Sequence, residues 1–483
     1  MRCARLPQAS ALLQQLGASV AALTADSRRA GADVAFAAYP GAVHDGRNFI
    51  PQAIAAGTPA VLWEADHFLW DPAWQVPNLP VSGLKQRVGE IAACVYGDPS
   101  SRLRMIGVTG TNGKTSVTHW IAQAMDHLGT PSIVIGTLGN GFVDRLAPAS
   151  NTTPDAVCLQ EMLARYVEDG ACACAMEVSS HGLHQGRVNG CRFNVAVLTN
   201  LSRDHLDYHG SMEDYAAAKA ELFAWAGLEH AVLNLDDAFG QALVGKTGSA
   251  SIVGYGFRHG EVMAEALKAG REGLILTLNT AWGRAELRSA LLGRFNAYNL
   301  MAALAALLVS GIPLERGCAA LEQARPPAGR MQTLGGGSRP LVVVDYAHTP
   351  DALEKVLATL RPLAGESRVI CVFGCGGNRD KGKRPLMGRA AAQGADLVFV
   401  TSDNPRNEDP LAIIDDILQG AKGGSVRSEP DRARAIFEAV GAARASDIVL
   451  VAGKGHEDYQ EALGRKSHFS DVEVALKALE AWS

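Results

Sequence analysis

Arg104-Met105-Ile106-Gly107-Val108-Thr109-Gly110-Thr111-Asn112-Gly113-Lys114-Thr115-Ser116 is a short apolar run that breaks into glycines and then into Lys-Thr-Ser. Arg104 to Val108 has the length and apolarity of a buried strand. Val117 to Leu128 reads as a helix that Gly129 stops. Strand, glycine loop, Lys-Thr and helix in this order make a phosphate loop. Glycines let backbone N–H groups turn inward around phosphate oxygens, and the helix N-terminus adds partial positive charge. Gly110, Thr111, Asn112, Gly113, Lys114, Thr115 and Ser116 are therefore expected to hold ATP. Lys114 would neutralise the β- and γ-phosphates, and the Thr115 hydroxyl would ligate magnesium. The strict pattern wants a glycine where Val108 stands; glycines sit at 107 and 110 instead.

Working outward, Ala171 to Met176 is a strand with Glu177 at its end, followed by Val178-Ser179-Ser180-His181. Phe193 to Leu198 is another, running into Thr199-Asn200-Leu201-Ser202-Arg203-Asp204-His205-Leu206-Asp207-Tyr208-His209-Gly210. Open α/β sheets bind ligands at the carboxyl ends of their strands, so both clusters fall on the rim that carries the phosphate loop. Ser211 to Phe223 reads as a helix whose start is capped by Ser211 with Asp214. Lys219 lies in it among alanines, and spacing alone marks it as a surface lysine.

The rest of the 483 residues repeats the pattern of short β-branched runs and Ala-rich helical stretches, which reads as α/β with mostly parallel sheets. Polar turn clusters at Tyr96–Ser101 and Arg325–Gly329 divide the chain into domains at 1–100, 101–327 and 328–483. A net charge of −5 argues against nucleic acid as a partner. The nine cysteines include no C-x-x-C pair. Cys172 and Cys174 are expected on one strand face as core residues, and Cys371 and Cys375 likewise. Met1 to Gly17 has no signal-peptide pattern. The longest apolar stretch, Leu300 to Leu314, is broken by Ser310, Gly311 and Pro313, short of the ~20 residues a membrane span needs. A cytoplasmic monomer with reduced thiols is expected. Gly374-Cys375-Gly376-Gly377-Asn378-Arg379 is not a dinucleotide fingerprint, because Arg379 occupies the last glycine position.

In the last third, four apolar runs each end in a polar cluster: Leu341–Val344 in Asp345-Tyr346-Ala347-His348, Val369–Phe373 in Gly374 to Lys381, Leu397–Val400 in Ser402 to Arg406, and Ile448–Val451 in Gly453 to Glu457. If the strands are parallel, the clusters line one crevice holding Arg379, Arg406 and Glu457. Arginine binds carboxylates with paired hydrogen bonds and an acid suits an ammonium, so the set fits an amino acid carrying an extra carboxylate.

Thr109–Thr115, Glu177–His181, Asn200–Asp207, Gly293-Arg294-Phe295-Asn296-Ala297-Tyr298-Asn299 and Asp345-Tyr346-Ala347-His348-Thr349-Pro350 together resemble the Mur ligase family of peptidoglycan synthesis, over nearly the whole chain. The resemblance implies an N-terminal UDP-binding domain, a central ATPase domain and a C-terminal Rossmann-like domain. It implies that Asn296, Arg330 and Asp345 also contact ATP. Asp26-Ser27-Arg28 and Asp45-Gly46-Arg47-Asn48-Phe49 look like its nucleotide-sugar motifs, and Ser27, Asn151, Thr152, Thr153, Ser179, Gln185 and Arg187 match positions that hold the UDP-muramoyl dipeptide. Lys219 becomes a carbamate that, with Thr115, Glu177 and His205, holds two magnesium ions. Lys114, Lys219, Glu177 and His205 are the implied catalytic set. Asp403-Asn404-Pro405-Arg406 looks like the signature of members that add meso-2,6-diaminopimelate to UDP-N-acetylmuramoyl-L-alanyl-D-glutamate. Arg379, Asp403, Asn404, Arg406, Gly453 and Glu457 would hold that amino acid. The implied reaction runs through an acyl phosphate formed from ATP. Two departures stand out: Gly41-Ala42-Val43-His44 in place of a His-Gln-Ala stretch, and Ser116 where threonine is more usual. Two alternatives stay open: a related ligase such as a folylpolyglutamate synthase, and a phosphate-loop NTPase acting as a switch or assembly factor.

Overall fold

A computed structural model describes residues 6–41 and 44–482. Ala42 and Val43, where the nucleotide-sugar stretch departs from the family pattern, lie outside the described residues, as does the start of the N-terminal segment. The chain packs as two compact units. One takes the chain up to Ala266 with Thr277–Leu287 and Tyr298–Gln323; the other takes Leu267–Leu276, Arg288–Ala297 and Ala324 onward.

The first unit holds two sheets. Ala22–Thr24, Val34–Ala38, Val61–Glu64 and Asn78–Val81 pair in parallel in that order. The Leu84–Val95 helix covers one side with Leu84, Val88, Ile91 and Ala92, spaced to line one helical face. The central sheet places Ser251–Gly256, His230–Asn234, Val195–Leu198, Arg104–Thr109, Ala173–Glu177 and Ser132–Gly136 side by side, all parallel. These strands are buried on both faces, which is why they read as continuous apolar runs. The parallel register puts the phosphate loop, Glu177 and Thr199 at one edge, as expected.

Two local expectations shift. The helix after the loop spans Lys114–His127, starting three residues before the expected Val117. Gly113, at φ +88°, turns the chain directly into it, so Lys-Thr-Ser forms the first turn. The Ala173–Glu177 strand starts two residues late, so Cys172 precedes it and is exposed, whereas Cys174, Cys371 and Cys375 are core residues. The apolar run from Leu300 to Leu308 is buried all round, and no helix among the described residues is long and apolar enough to cross a membrane.

In the second unit the four expected strands appear as Leu341–Asp345, Ile448–Ala452, Val369–Phe373 and Leu397–Val400, adjacent in that order and all parallel. At the edge of this sheet the Gln332–Gly335 strand pairs antiparallel with Leu341–Asp345. Apolar helices cover both faces, giving two cores, one around Phe373 and one around Phe399.

Candidate active site

The phosphate loop is tied to the segment after the neighbouring strand. Thr111 N donates to Asn200 O at 2.9 Å, and Asn112 N to Asn200 Oδ1 at 3.0 Å. Asn200 Nδ2 returns to Asn112 O at 3.0 Å, and Thr199 Oγ1 donates to the same oxygen at 2.6 Å. This close docking explains two glycines: a Cβ on Gly110 would strike Thr199 and Asn200, and one on Gly113 would strike Asn299.

Lys114 Nζ donates to Gly110 O and Thr111 O, both at 2.9 Å. Lys219 Nζ also donates to Gly110 O at 2.9 Å. Lys219 is 1% exposed, and its nitrogen sits 4.5 Å over the Tyr215 ring. Burial, and then the nearby Lys114 charge, hold its pKa well below the ordinary lysine value; Asp204 pulls the other way. Of the two amines on this carbonyl, Lys219 is the one whose charged form burial and its neighbour disfavour. Lys219 is therefore not a surface lysine but a buried amine beside the phosphate loop.

Glu177 is 1% exposed. Its carboxylate accepts from Thr115 Oγ1 at 3.1 Å, Thr137 N at 2.8 Å and Thr137 Oγ1 at 3.2 Å. A hydroxyl and a carboxylate at the mouth of a phosphate loop are hard oxygen donors, and they fit magnesium, which takes few protein ligands and keeps its remaining positions for phosphate and water. His205 adopts φ +53° and its pKa is lowered mainly by burial, leaving a neutral imidazole able to ligate. His181, ring-stacked 4.1 Å from Tyr208 and 4.9 Å from His205, is pushed down to about 4 by burial and then by the neighbouring histidines.

Of the expected dipeptide residues, Thr152, Thr153 and Ser179 gather beside Glu177, and Gln185 and Arg187 reach them through Thr153. Thr153 is fully buried, donates to Glu177 O at 2.9 Å and shares a bond with Ser179 Oγ at 3.0 Å. Thr152 bonds Thr137 Oγ1 at 3.0 Å. Arg187 donates to Thr153 O at 2.9 Å and to Gln185 Oε1 at 2.7 and 3.0 Å, and Gln185 Nε2 donates to Tyr208 OH at 3.0 Å. Asn151 is exposed on the same loop. Ser27, in the N-terminal sheet region, donates to Gln52 Oε1 at 3.2 Å. Asp26 and Asp45 each cap a short turn and fold the arginine two residues on, Arg28 or Arg47, back onto themselves at 2.7 Å.

In the second unit, Asp345 is buried with one oxygen accepting from Met331 N and the other from Ala347 N, both at 2.8 Å. Burial raises its pKa. Arg330 lies 4.7 Å over the Tyr346 ring, and Asn296 Nδ2 donates to Leu292 O at 2.8 Å. Arg406, at φ +51°, donates to Gly377 O at 2.9 Å and faces Glu461 at 3.5 Å. Its backbone forms a parallel bridge to Ala462: Arg406 N donates to Glu461 O, and Leu463 N donates to Arg406 O. Arg379 is exposed, and a Cβ on Gly376 would touch both arginines, so the two flank one glycine. Asn404 Nδ2 donates to Glu457 Oε2 at 2.8 Å, and Gly453 backs directly onto the Asp403 carboxylate.

Several residues here escaped the sequence reading. Thr137 and Tyr215 hold Glu177 and Lys219. Lys454, fully buried, donates to Asn404 Oδ1 at 3.1 Å and to Glu457 at 3.3 Å. Lys454 stands inside the Gly453–Glu457 cluster, three residues before Glu457, and that placement was the available signal; Thr137 and Tyr215 left none.

The first unit thus carries a phosphate loop on a parallel sheet, and the second carries an arginine- and acid-lined rim on its own sheet. The Mur ligase family's catalytic, middle and glutamate ligase domains match residues 19–96, 108–307 and 329–455, and the chain belongs to the Mur ligase family. It is 54% identical to the UDP-N-acetylmuramoyl-L-alanyl-D-glutamate–2,6-diaminopimelate ligase of Chromobacterium violaceum, over 98% of this chain and 97% of that one. It is 50% identical to the ligase of the same name from Neisseria meningitidis serogroup B, over 95% and 94%. A solved structure of a ligase of that name superposes with a TM-score of 0.72 at 39% identity, covering 96% of this chain and 95% of that one.

Proposed function

We propose that the chain joins meso-2,6-diaminopimelate to the glutamyl carboxylate of UDP-N-acetylmuramoyl-L-alanyl-D-glutamate, with ATP converted to ADP and phosphate. What carries the reading is the match of 54% identity along almost the full length of a ligase of that name. A reaction that draws on ATP and a nucleotide-linked precursor belongs in the cytoplasm.

The substrate carboxylate attacks the γ-phosphorus of ATP, the bond to the β-γ bridging oxygen breaks, and ADP leaves. The diaminopimelate amine then attacks the acyl carbon, an amide forms, and inorganic phosphate departs with the amine's proton lost to solvent. Lys114 and the loop N–H groups stabilise the charge spread over the transferring phosphoryl group. Thr153, Ser179, Gln185 and Arg187 orient the dipeptide arm. Arg406 and Arg379 take a carboxylate of the incoming amino acid, and Glu457, Asp403 and Asn404 its ammonium.

Thr115, Glu177, His205 and a carbamate on Lys219 would hold magnesium, which when bound supplies positive charge against the phosphates. The carbamate reading is supported by the burial of Lys219, which holds its pKa well below the ordinary lysine value. Only an unprotonated amine attacks carbon dioxide, and the product exchanges a lysine for an anionic oxygen donor.

Phosphate release would be measured with ATP, magnesium and the UDP dipeptide, comparing meso-diaminopimelate with L-lysine. Release driven by diaminopimelate is expected. Release driven by lysine instead would sink the specificity reading, and release indifferent to either amino acid would point to an NTPase.

A further inference from the structure

The two clusters read as amino-acid recognition leave different strands. Asp403–Arg406 follows Leu397–Val400, and Gly453–Glu457 follows Ile448–Ala452. These strands are not neighbours, because Val369–Phe373 lies between them. No ladder hydrogen bonds therefore set one cluster against the other.

Arg432 spans that gap from below. It opens the Arg432–Gly441 helix, and its side chain is 0% exposed. Nη1 donates to Ser402 O at 3.2 Å and Nη2 to Ala452 O at 2.9 Å. Those carbonyls belong to the residues immediately before each cluster. The remaining side of the guanidinium is paired with Asp471, also 0% exposed, through Nε and Nη2 at 2.7 Å each. Asp471 opens the Asp471–Glu480 helix. Lys454, within the second cluster, donates across the same gap to Asn404 Oδ1 at 3.1 Å.

A fully buried ion pair is a poor device for stability alone. Its desolvation offsets most of its attraction, and apolar residues of similar volume serve as well or better. What apolar residues cannot do is hold two carbonyls at a fixed separation with a rigid, planar fork of donors.

We propose that Arg432, oriented by Asp471, is a positioning residue for amino-acid recognition: by tying Ser402 O to Ala452 O it fixes the distance between the cluster carrying Asp403, Asn404 and Arg406 and the cluster carrying Glu457. This rests on the reading of those clusters as the diaminopimelate site. A ligand charged at both ends is sensitive to that distance, whereas ATP and the UDP substrate are not.

The test uses the full chain with Arg432→Lys, and with Arg432→Met combined with Asp471→Leu. The double change removes both charges together and leaves no orphan ion. Phosphate release is titrated with meso-diaminopimelate, ATP and the UDP dipeptide in turn, with thermal melting alongside. The expected result is a KM for diaminopimelate raised on the order of 10- to 100-fold in the double variant and less in Arg432→Lys. The KM values for ATP and the UDP dipeptide should stay within about twofold, and the preference over L-lysine should narrow. An unchanged diaminopimelate KM in a folded double variant, or three KM values rising together, overturns the proposal. Should the double variant fail to fold, Arg432→Lys decides by the same criterion. A wild-type chain with no diaminopimelate-dependent turnover overturns the underlying reading of the clusters, and this proposal with it.

Discussion

Lys219 and Lys454 are both buried, one on each sheet rim, yet their surroundings differ. Lys219 meets a carbonyl, an aromatic face and another lysine. Lys454 meets Asn404 and Glu457, with Asp403 4.0 Å away. Burial by itself does not decide what a lysine is; its partners do. The first environment disfavours the charged form, while the second supplies acids that pair with it.

The contrast breaks most visibly at Lys219. Lys219→Met is expected to lower kcat on the order of 100- to 1,000-fold, since the proposed carbamate of the phosphoryl site can no longer form. Its urea midpoint should hold steady or rise, because a buried amine has been replaced by an apolar chain. Loss of stability in step with activity would make Lys219 an ordinary structural residue. Lys454→Met should do the reverse and cost about 2–4 kcal/mol in urea unfolding, because it strands Glu457 and Asp403. An unaffected midpoint would show that its partners are satisfied by water.

Arg406→Ala is expected to weaken diaminopimelate use by about 1.5–3 kcal/mol, read as kcat/KM, with the ATP KM held. An equal loss for ATP would place Arg406 outside the amino-acid site. The pH dependence sharpens the comparison further. Between the depressed pKa of Lys219 and its ordinary 10.5, the unfolded chain binds one more proton than the native one. Stability relative to Lys219→Met should therefore rise with pH there, by at most about 1.4 kcal/mol per pH unit, in bicarbonate-free buffer. A flat difference would mean a charged Lys219. Smallest is Thr137→Val, which removes one of three donors to Glu177 and should cost roughly 1 kcal/mol in catalysis. No change in kcat would leave Thr137's backbone N–H as the useful contact.

Much of this was legible in the residues themselves. Parallel strands buried on both faces announce themselves as apolar runs, and each run's polar ending marks the rim, so the phosphate loop, Glu177 and the Arg406 cluster could all be read. Lys219 could not: an alanine-flanked lysine in a helix looks solvated, and only the family resemblance singled it out before burial explained it. Arg432 and Asp471 were invisible for a related reason. A charge at a helix start is ordinarily a surface feature, and only the fold shows that both starts point inward beneath two loops.

The Arg406 backbone bridge to the Tyr459–His468 hairpin bears on redesign. The residue read as selecting the incoming amino acid has a left-handed backbone whose N–H and carbonyl are both bonded to chain some 55 residues downstream, at Glu461 and Leu463. Grafting Asp403–Arg406 alone into a lysine-adding relative would transplant the letters without their posture. A workable graft carries the hairpin as part of the same cassette.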